Sequence, residues 1–283
     1  MNVQKKVLAT CFVVGVVLLF LMMTYKMNQR ESFQQWNLPL AGKVIIIDPG
    51  HGGVDGGAVF KGVIEKNITL PISLKLRDYL QEQGALVLMT REKDGDLADP
   101  NSKSIRERKR TDLIKRTKFI NESEADFYVS IHANAFPEGS SKGAQTFFSP
   151  IFSENKQAAK LIQAELVHNL KNTKRQAKPL ENVYLVKNAK KPGVLVEVGF
   201  LSNEQERLSL QSEIYQDDIA LSIYTGVIRY FLNEQEKELF DKFKACYDEM
   251  IQITECQTFI KGFKLGARFV IACFENENDI FEE

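Results

Sequence analysis

Cysteine and histidine are both scarce in this 283-residue sequence. Of its four cysteines, Cys11 lies in an N-terminal apolar run and Cys246, Cys256 and Cys273 fall near the C-terminus, leaving residues 12–245 with none. Without a CxxC pair the chain has neither a disulfide framework nor a zinc ribbon, and its body has no thiol to act as a nucleophile. Histidine occurs three times, at positions 51, 132 and 168, with no polyhistidine or Cys/His-rich tract. An excess of one charge is lacking too. The 37 Lys+Arg balance 37 Asp+Glu, so no bulk attraction to nucleic acid exists and no nucleic-acid partner is expected. The remaining composition is that of a globular protein, long enough for one full-sized domain with appendages.

Two of the three histidines end apolar runs. Val44-Ile-Ile-Ile-Asp-Pro-Gly-His-Gly-Gly53 begins with four β-formers, the pattern of a strand buried on both faces. Pro49 and Gly50 break it and present His51 at the strand's end, among glycines that admit close approach. Asp126-Phe-Tyr-Val-Ser-Ile-His132 repeats the design, and Ala133-Asn134 leads into a loop. In open α/β sheets, ligands bind at the carboxyl ends of strands. Between the two histidines, Glu65 precedes a helix. Two imidazoles and a carboxylate with one open position are a common catalytic zinc set, although the spacing is not the two-histidine helix pattern of many metalloproteases. Further on, Gly193-Val-Leu-Val-Glu-Val-Gly-Phe-Leu-Ser-Asn203 places Glu197 in an otherwise apolar strand. A buried acid is costly unless it is paired or functional.

Asp48-Pro-Gly-His-Gly-Gly, Glu65, Ser130-Ile-His-Ala-Asn and Glu197-Val-Gly-Phe-Leu-Ser-Asn, in this order, resemble the motifs of the zinc-dependent N-acetylmuramoyl-L-alanine amidases of bacterial cell walls. Thr90-Arg91-x-x-Asp94 is similar to a recurrent element of that family. The resemblance implies zinc held by His51, Glu65 and His132, with Glu197 as catalytic acid/base. The implied substrate is peptidoglycan, cut at the amide between N-acetylmuramic acid and L-alanine. Asn134 and Arg116 are candidates to hold the substrate or its oxyanion. For Arg116 the alternative is a solvated charge among Arg106, Arg108, Lys109 and Arg110. Asp48 either orients His51 as an acceptor or only fixes the turn. The compact body with a single membrane anchor and no wall-binding repeats resembles the sporulation branch, whose members act on spore cortex during muramic-δ-lactam formation for germination. A different zinc hydrolase of wall material, a peptidase or deacetylase, and a non-catalytic wall binder are the rival readings.

The chain is organised in four parts. Lys5 and Lys6 precede an apolar run over 7–25, long enough to cross a bilayer. It has no A-x-A-like cleavage site, which favours an uncleaved signal anchor (1–27) over a secretory signal. With the polar tether 28–42, this would hold the catalytic domain 43–233 to the membrane on its extracytoplasmic side. The alternative is a secreted protein. In the domain, Ile68, Ile72, Leu76, Tyr79 and Leu80 stripe a helix that Gly84 stops, and a strand follows over 85–90. Ser104-Ile-Arg-Glu107 is a capping box that starts a helix. A strand is expected over 144–149, a helix from Ser153, strands over 183–186 and 194–198, a short helix capped by Asn203, and a last helix striped by Ile219, Ile223, Val227 and Phe231. His168 reads as a helix-surface residue. Lys171, Lys174, Arg175 and Lys178 make a basic loop, a solvated one or one that meets peptide-stem carboxylates. The fold class is α/β, an open, mostly parallel or mixed sheet flanked by helices, with an N-terminal membrane helix and a helical C-terminal extension. No long helical insertion interrupts the region between His132 and Glu197, where some family members carry a self-blocking helix, so regulation is expected from a separate protein activator or from expression. The extension, 236–283, is acidic overall and reads as a helical hairpin or a small fused module.

Overall fold

A computed structural model describes residues 38–232, apart from Pro100, Lys103, Pro137 and Glu138, together with Asp241, Lys242, Lys244, Ala245, Asp248 and Glu249. The membrane helix expected over 1–27, the start of the tether and most of the 236–283 extension lie outside the described residues. Among those described, no helix is long and apolar enough to cross a membrane. The chain divides into two compact units, Met1–Ile228 and Arg229–Glu283, and the sheet with its site belongs to the first.

In chain order the elements are β1 (Val44–Pro49), β2 (Val59–Phe60), β3 (Val63–Ile64), α1 (Lys66–Glu82), β4 (Leu86–Met89), α2 (Ile105–Glu122) and β5 (Phe127–Asn134). There follow β6 (Gln145–Phe148), α3 (Ser153–Leu170), β7 (Lys178–Pro179), α4 (Tyr184–Asn188), β8 (Gly193–Phe200), α5 (Glu204–Leu210) and α6 (Glu213–Phe231). One six-stranded sheet has the order β4-β1-β5-β8-β6-β7. Its first four strands are parallel, β6 runs antiparallel to β8, and β7 pairs parallel to β6. The expected mixed α/β sheet is therefore present. β2 and β3 form a small separate hairpin, unanticipated inside the glycine loop.

Local chemistry sets the element ends. Ser104 Oγ accepts from Glu107 N at 3.1 Å, and Asn203 Oδ1 accepts from Glu206 N at 3.2 Å, as expected of N-caps. Beyond α1, Gly84 takes a left-handed φ of 87° that ends the helix. The β1 side chains Ile45, Ile46 and Ile47 are fully buried, and each such burial stabilises by about 1.5–3 kcal/mol. Helix α1 packs on β1, β4 and β5, while α3 packs on β6 and β8.

The 183–186 run departs from its expected strand: it enters the helix α4 instead. A short apolar run reads alike in a buried strand or a buried helix. Here one helical turn puts Leu185 and Ala189, four apart, against Ile46, Ile120 and Tyr128. Lys178, assigned to the basic loop, joins the edge strand β7. Between β5 and β8, the helices among the described residues are α3 and the five-residue α4.

Candidate active site

The site lies at the carboxyl ends of β1, β5 and β8. His51 follows β1 with φ +63°, a left-handed conformation costing a non-glycine residue about 1–2 kcal/mol. The surrounding loop enforces it. Gly52 and Asp55 exchange backbone hydrogen bonds of 2.8 and 3.0 Å, closing a tight turn that carries Asp55 back beneath the imidazole. Asp55 Oδ2 lies 2.8 Å from His51 Nδ1, which leaves Nε2 facing inward. Burial alone would lower the His51 pKa, but Asp55 and Glu65 raise it to about 9.

Glu65 sits between the two histidines. Its Oε2 is 3.2 Å from His51 Nε2 and its Oε1 is 3.0 Å from His132 Nδ1. Two backbone donors fix the carboxylate: Ala58 N at 2.8 Å and Ala133 N at 3.0 Å. Burial favours its neutral form, yet the two imidazoles hold its carboxyl well below the usual range. Ligand atoms of His51, Glu65 and His132 all fall within 4.8 Å of one another, a group able to hold a metal ion. Ligands about 2.0–2.1 Å from a tetrahedral zinc stand about 3.3 Å apart. The two histidine–glutamate separations, one to each carboxylate oxygen, are near that spacing, and two imidazoles with a carboxylate are a donor set that suits the ion.

Two glycines make room. A Cβ on Gly50 would run into the His132 ring, and one on Gly57, at φ +72°, into both Glu65 and the His51 ring. Gly50, within the Pro-Gly-His-Gly-Gly pattern, thus reflects crowding against the His132 imidazole as well as the turn, and Gly57, four residues beyond the pattern, does the same for His51.

Glu197 stands beside His132 as its register partner across β5 and β8. Its Oε2 is buried with no hydrogen-bond partner. Burial pushes its carboxyl up to about 7 against the pull of His132, and Glu65 adds to the rise. Asn134 ends β5 beyond a register shift, and its Oδ1 accepts from Ala135 N at 2.8 Å.

Beneath the site lies a charged support. Arg116, 2% exposed, donates to Asp48 Oδ1 at 2.8 Å, Asp112 Oδ2 at 2.7 Å, Pro49 O at 2.8 Å and His51 O at 2.6 Å. Asp48 also accepts from Thr90 Oγ1 and Ser130 Oγ, each at 2.7 Å. Burial alone would raise its carboxyl, but Arg116 and these hydroxyls bring it down to about 2. Arg91 clamps the same loop through Pro49 O at 3.0 Å and Gly50 O at 3.1 Å. Asp94 takes Gly53 N at 2.8 Å and Lys66 Nζ at 2.7 Å. The Thr-Arg-x-x-Asp element therefore holds the His51 loop.

A family model described as N-acetylmuramoyl-L-alanine amidase matches residues 45–229. The chain belongs to that family. This amidase-family chain is 50% identical over 228 residues to the germination-specific N-acetylmuramoyl-L-alanine amidase of Bacillus subtilis, covering 81% of this chain and 96% of that one. It is 32% identical over 195 residues to N-acetylmuramoyl-L-alanine amidase LytC of the same organism, spanning 68% of this chain but 36% of LytC. Among solved structures, the CwlD amidase from Clostridioides difficile, in complex with the GerS lipoprotein, aligns with TM-score 0.65 and 43% identity over 67% of this chain and 98% of that one. A second model, for a family of unknown function, matches residues 201–273.

Two expectations change. Arg116 is not a solvated charge, and its guanidinium faces inward to carbonyls and carboxylates, because α2 packs it under the β1 loop. Asp48 does not touch the His51 ring: Arg116, Thr90 and Ser130 use its oxygens, and the carboxylate at His51 Nδ1 is that of Asp55. Sequence reasoning missed Asp55. Its signal was an acid four residues after the histidine in a glycine loop, which becomes meaningful only once the turn folds back. His168 lies exposed on α3, away from the strand ends.

Proposed function

We propose that this family member is a zinc-dependent amidase of spore-cortex peptidoglycan, cutting between N-acetylmuramic acid and L-alanine. The observation that carries the reading is the His51–Glu65–His132 cluster with the buried, unpartnered Oε2 of Glu197 beside it. His51 Nε2, a Glu65 oxygen and His132 Nδ1 would hold the ion. When bound, zinc supplies Lewis-acid activation of water and of the amide carbonyl. Glu197, its proton affinity raised by burial, takes a proton from water and returns it to the leaving alanine nitrogen. Asp55 keeps His51 Nδ1 occupied and Nε2 directed inward. Asn134, at the rim, offers its amide nitrogen to the substrate. Arg116 acts from below as a positioning residue through the His51 carbonyl.

The likeness to a germination-specific relative supports cortex as the substrate and germination as the setting. The neighbour solved in complex with a lipoprotein supports a protein partner for this chain, and activation is the role proposed for it. Residues 1–27 would anchor it, with the catalytic domain 43–233 outside the membrane and 236–283 as a helical extension. The test is metal analysis of the purified chain, followed by incubation with cortex and with vegetative peptidoglycan and mass spectrometry of the products. Stem peptides beginning at L-alanine, released from cortex by the wild type and about 10²–10⁴-fold more slowly by Glu197→Gln with its metal content intact, are expected. Products cut elsewhere would defeat the reading.

A further inference from the structure

Across the sheet, His132, Glu197 and Gln145 occupy one register row on β5, β8 and β6. Residues directly opposite share a face, so the Gln145 side chain lies on the catalytic face, one strand beyond Glu197. Arg175 is fixed to it. The guanidinium Nη1 donates to Gln145 Oε1 at 3.0 Å, and Nε donates to Lys142 O at 2.8 Å. Thr173 Oγ1 accepts from Arg175 N at 3.1 Å. The guanidinium carbon lies 5.0 Å from the centre of the Phe200 ring, and Phe136 packs on the same ring at 5.5 Å. Among the described residues no carboxylate is hydrogen-bonded to Arg175; a carboxylate that feels its charge is Glu206, whose oxygens are taken by Gly143 N, Phe200 N and Asn172. Its neighbours Lys171 and Lys174 are exposed in the way expected of a solvated loop. Arg175 is only half-exposed and tied at three points.

We infer that Arg175 is a receptor for a carboxylate of the stem peptide and sets substrate preference. This rests on the amidase reading. A guanidinium stacked on an aromatic ring and steered by fixed acceptors is prepared to bind a carboxylate at low entropic cost. Neighbouring strands lie about 4.8 Å apart, so a group beyond Gln145 is about 10 Å from the reacting amide. An extended chain covers that in about three residues, and stem peptides carry carboxylates on the residues that follow L-alanine. Lys142, Lys171 and Lys174, which with Arg175 line an open cleft here, add diffuse attraction.

The test uses the full chain carrying Glu197→Gln, to read binding without turnover. Soluble peptidoglycan fragments are supplied in native form and after conversion of their carboxylates to amides with carbodiimide and ammonia. Amidation is expected to weaken binding by about 10–100-fold, the range of a charge-assisted hydrogen bond. Adding Arg175→Gln should remove that discrimination, Arg175→Lys should keep part of it, and Lys160→Gln, an equal charge loss on the exposed side of α3, should leave it intact. Equal binding of both fragment forms, or discrimination that survives Arg175→Gln or falls equally with Lys160→Gln, would overturn the inference. Carboxylate-dependent binding lost in Arg175→Gln supports the subsite even if the wild type cleaves nothing, an outcome that would defeat the amidase reading alone.

Discussion

Replacing Arg116 with Met keeps the side chain's bulk and deletes its charge and five-donor fork. The variant leaves Asp48, which is 1% exposed, facing the apolar end of a thioether. It also removes the donors now given to the carbonyls of Pro49 and His51. Breaking a buried ion pair from one side costs about 3–5 kcal/mol. Asp48 points the same way: against burial, which alone would raise it, its carboxyl stands at about 2 instead of 3.8 because Arg116, first among its stabilising neighbours, acts with the Thr90 and Ser130 hydroxyls and His132. The variant keeps those other partners and loses only the Arg116 share, together with the pairing to Asp112 and the two carbonyls.

The sign follows from the depressed pKa. The Asp48 contribution is fully present above about pH 4, where the carboxyl is ionised folded or unfolded, and is lost as pH falls through about 2. Urea unfolding with linear extrapolation, at pH 7 and again near pH 2.5, measures both halves. At pH 7 the variant should lose about 3–5 kcal/mol and about 10 °C in Tm, and the gap should narrow at the lower pH. A loss below about 1 kcal/mol, or a gap that does not change with pH, would refute this account of the support beneath His51. Because that support also fixes the strained His51 backbone, catalytic activity should fall by more than the unfolded fraction explains.

Other variants isolate single links. Asp55→Asn weakens the acceptor at His51 Nδ1 and should lower zinc affinity about 10–100-fold, read by competition with a chromophoric chelator; unchanged affinity would remove Asp55 from its positioning role. Gly50→Ala drives a methyl group into the His132 ring, so zinc uptake should be lost or severely weakened while circular dichroism stays native; normal metal loading would show that the loop yields more easily than its packing implies.

The sequence by itself determined the strands that carry the site, because a β-branched run ended by Pro-Gly or by a polar loop admits few structures. It also determined His51, Glu65, His132 and Glu197 as the residues worth bringing together, and the caps at Ser104 and Asn203, whose hydrogen bonds span three residues. Local rules suffice for such features. What only the tertiary structure decided depends on contacts between residues far apart in the chain. Whether 183–186 made a strand or a helix turned on Ile46 and Tyr128 waiting beneath it. That Asp55, and not Asp48, holds His51 turned on how one glycine loop folds back. The fates of the basic side chains were equally non-local: Arg116 is drawn under β1 by Asp48, sixty-eight residues away, and Arg175 is laid on Phe200 while its neighbouring lysines stay in water. Charge and hydropathy are alike for all of them, and only the packed partners distinguish one from another.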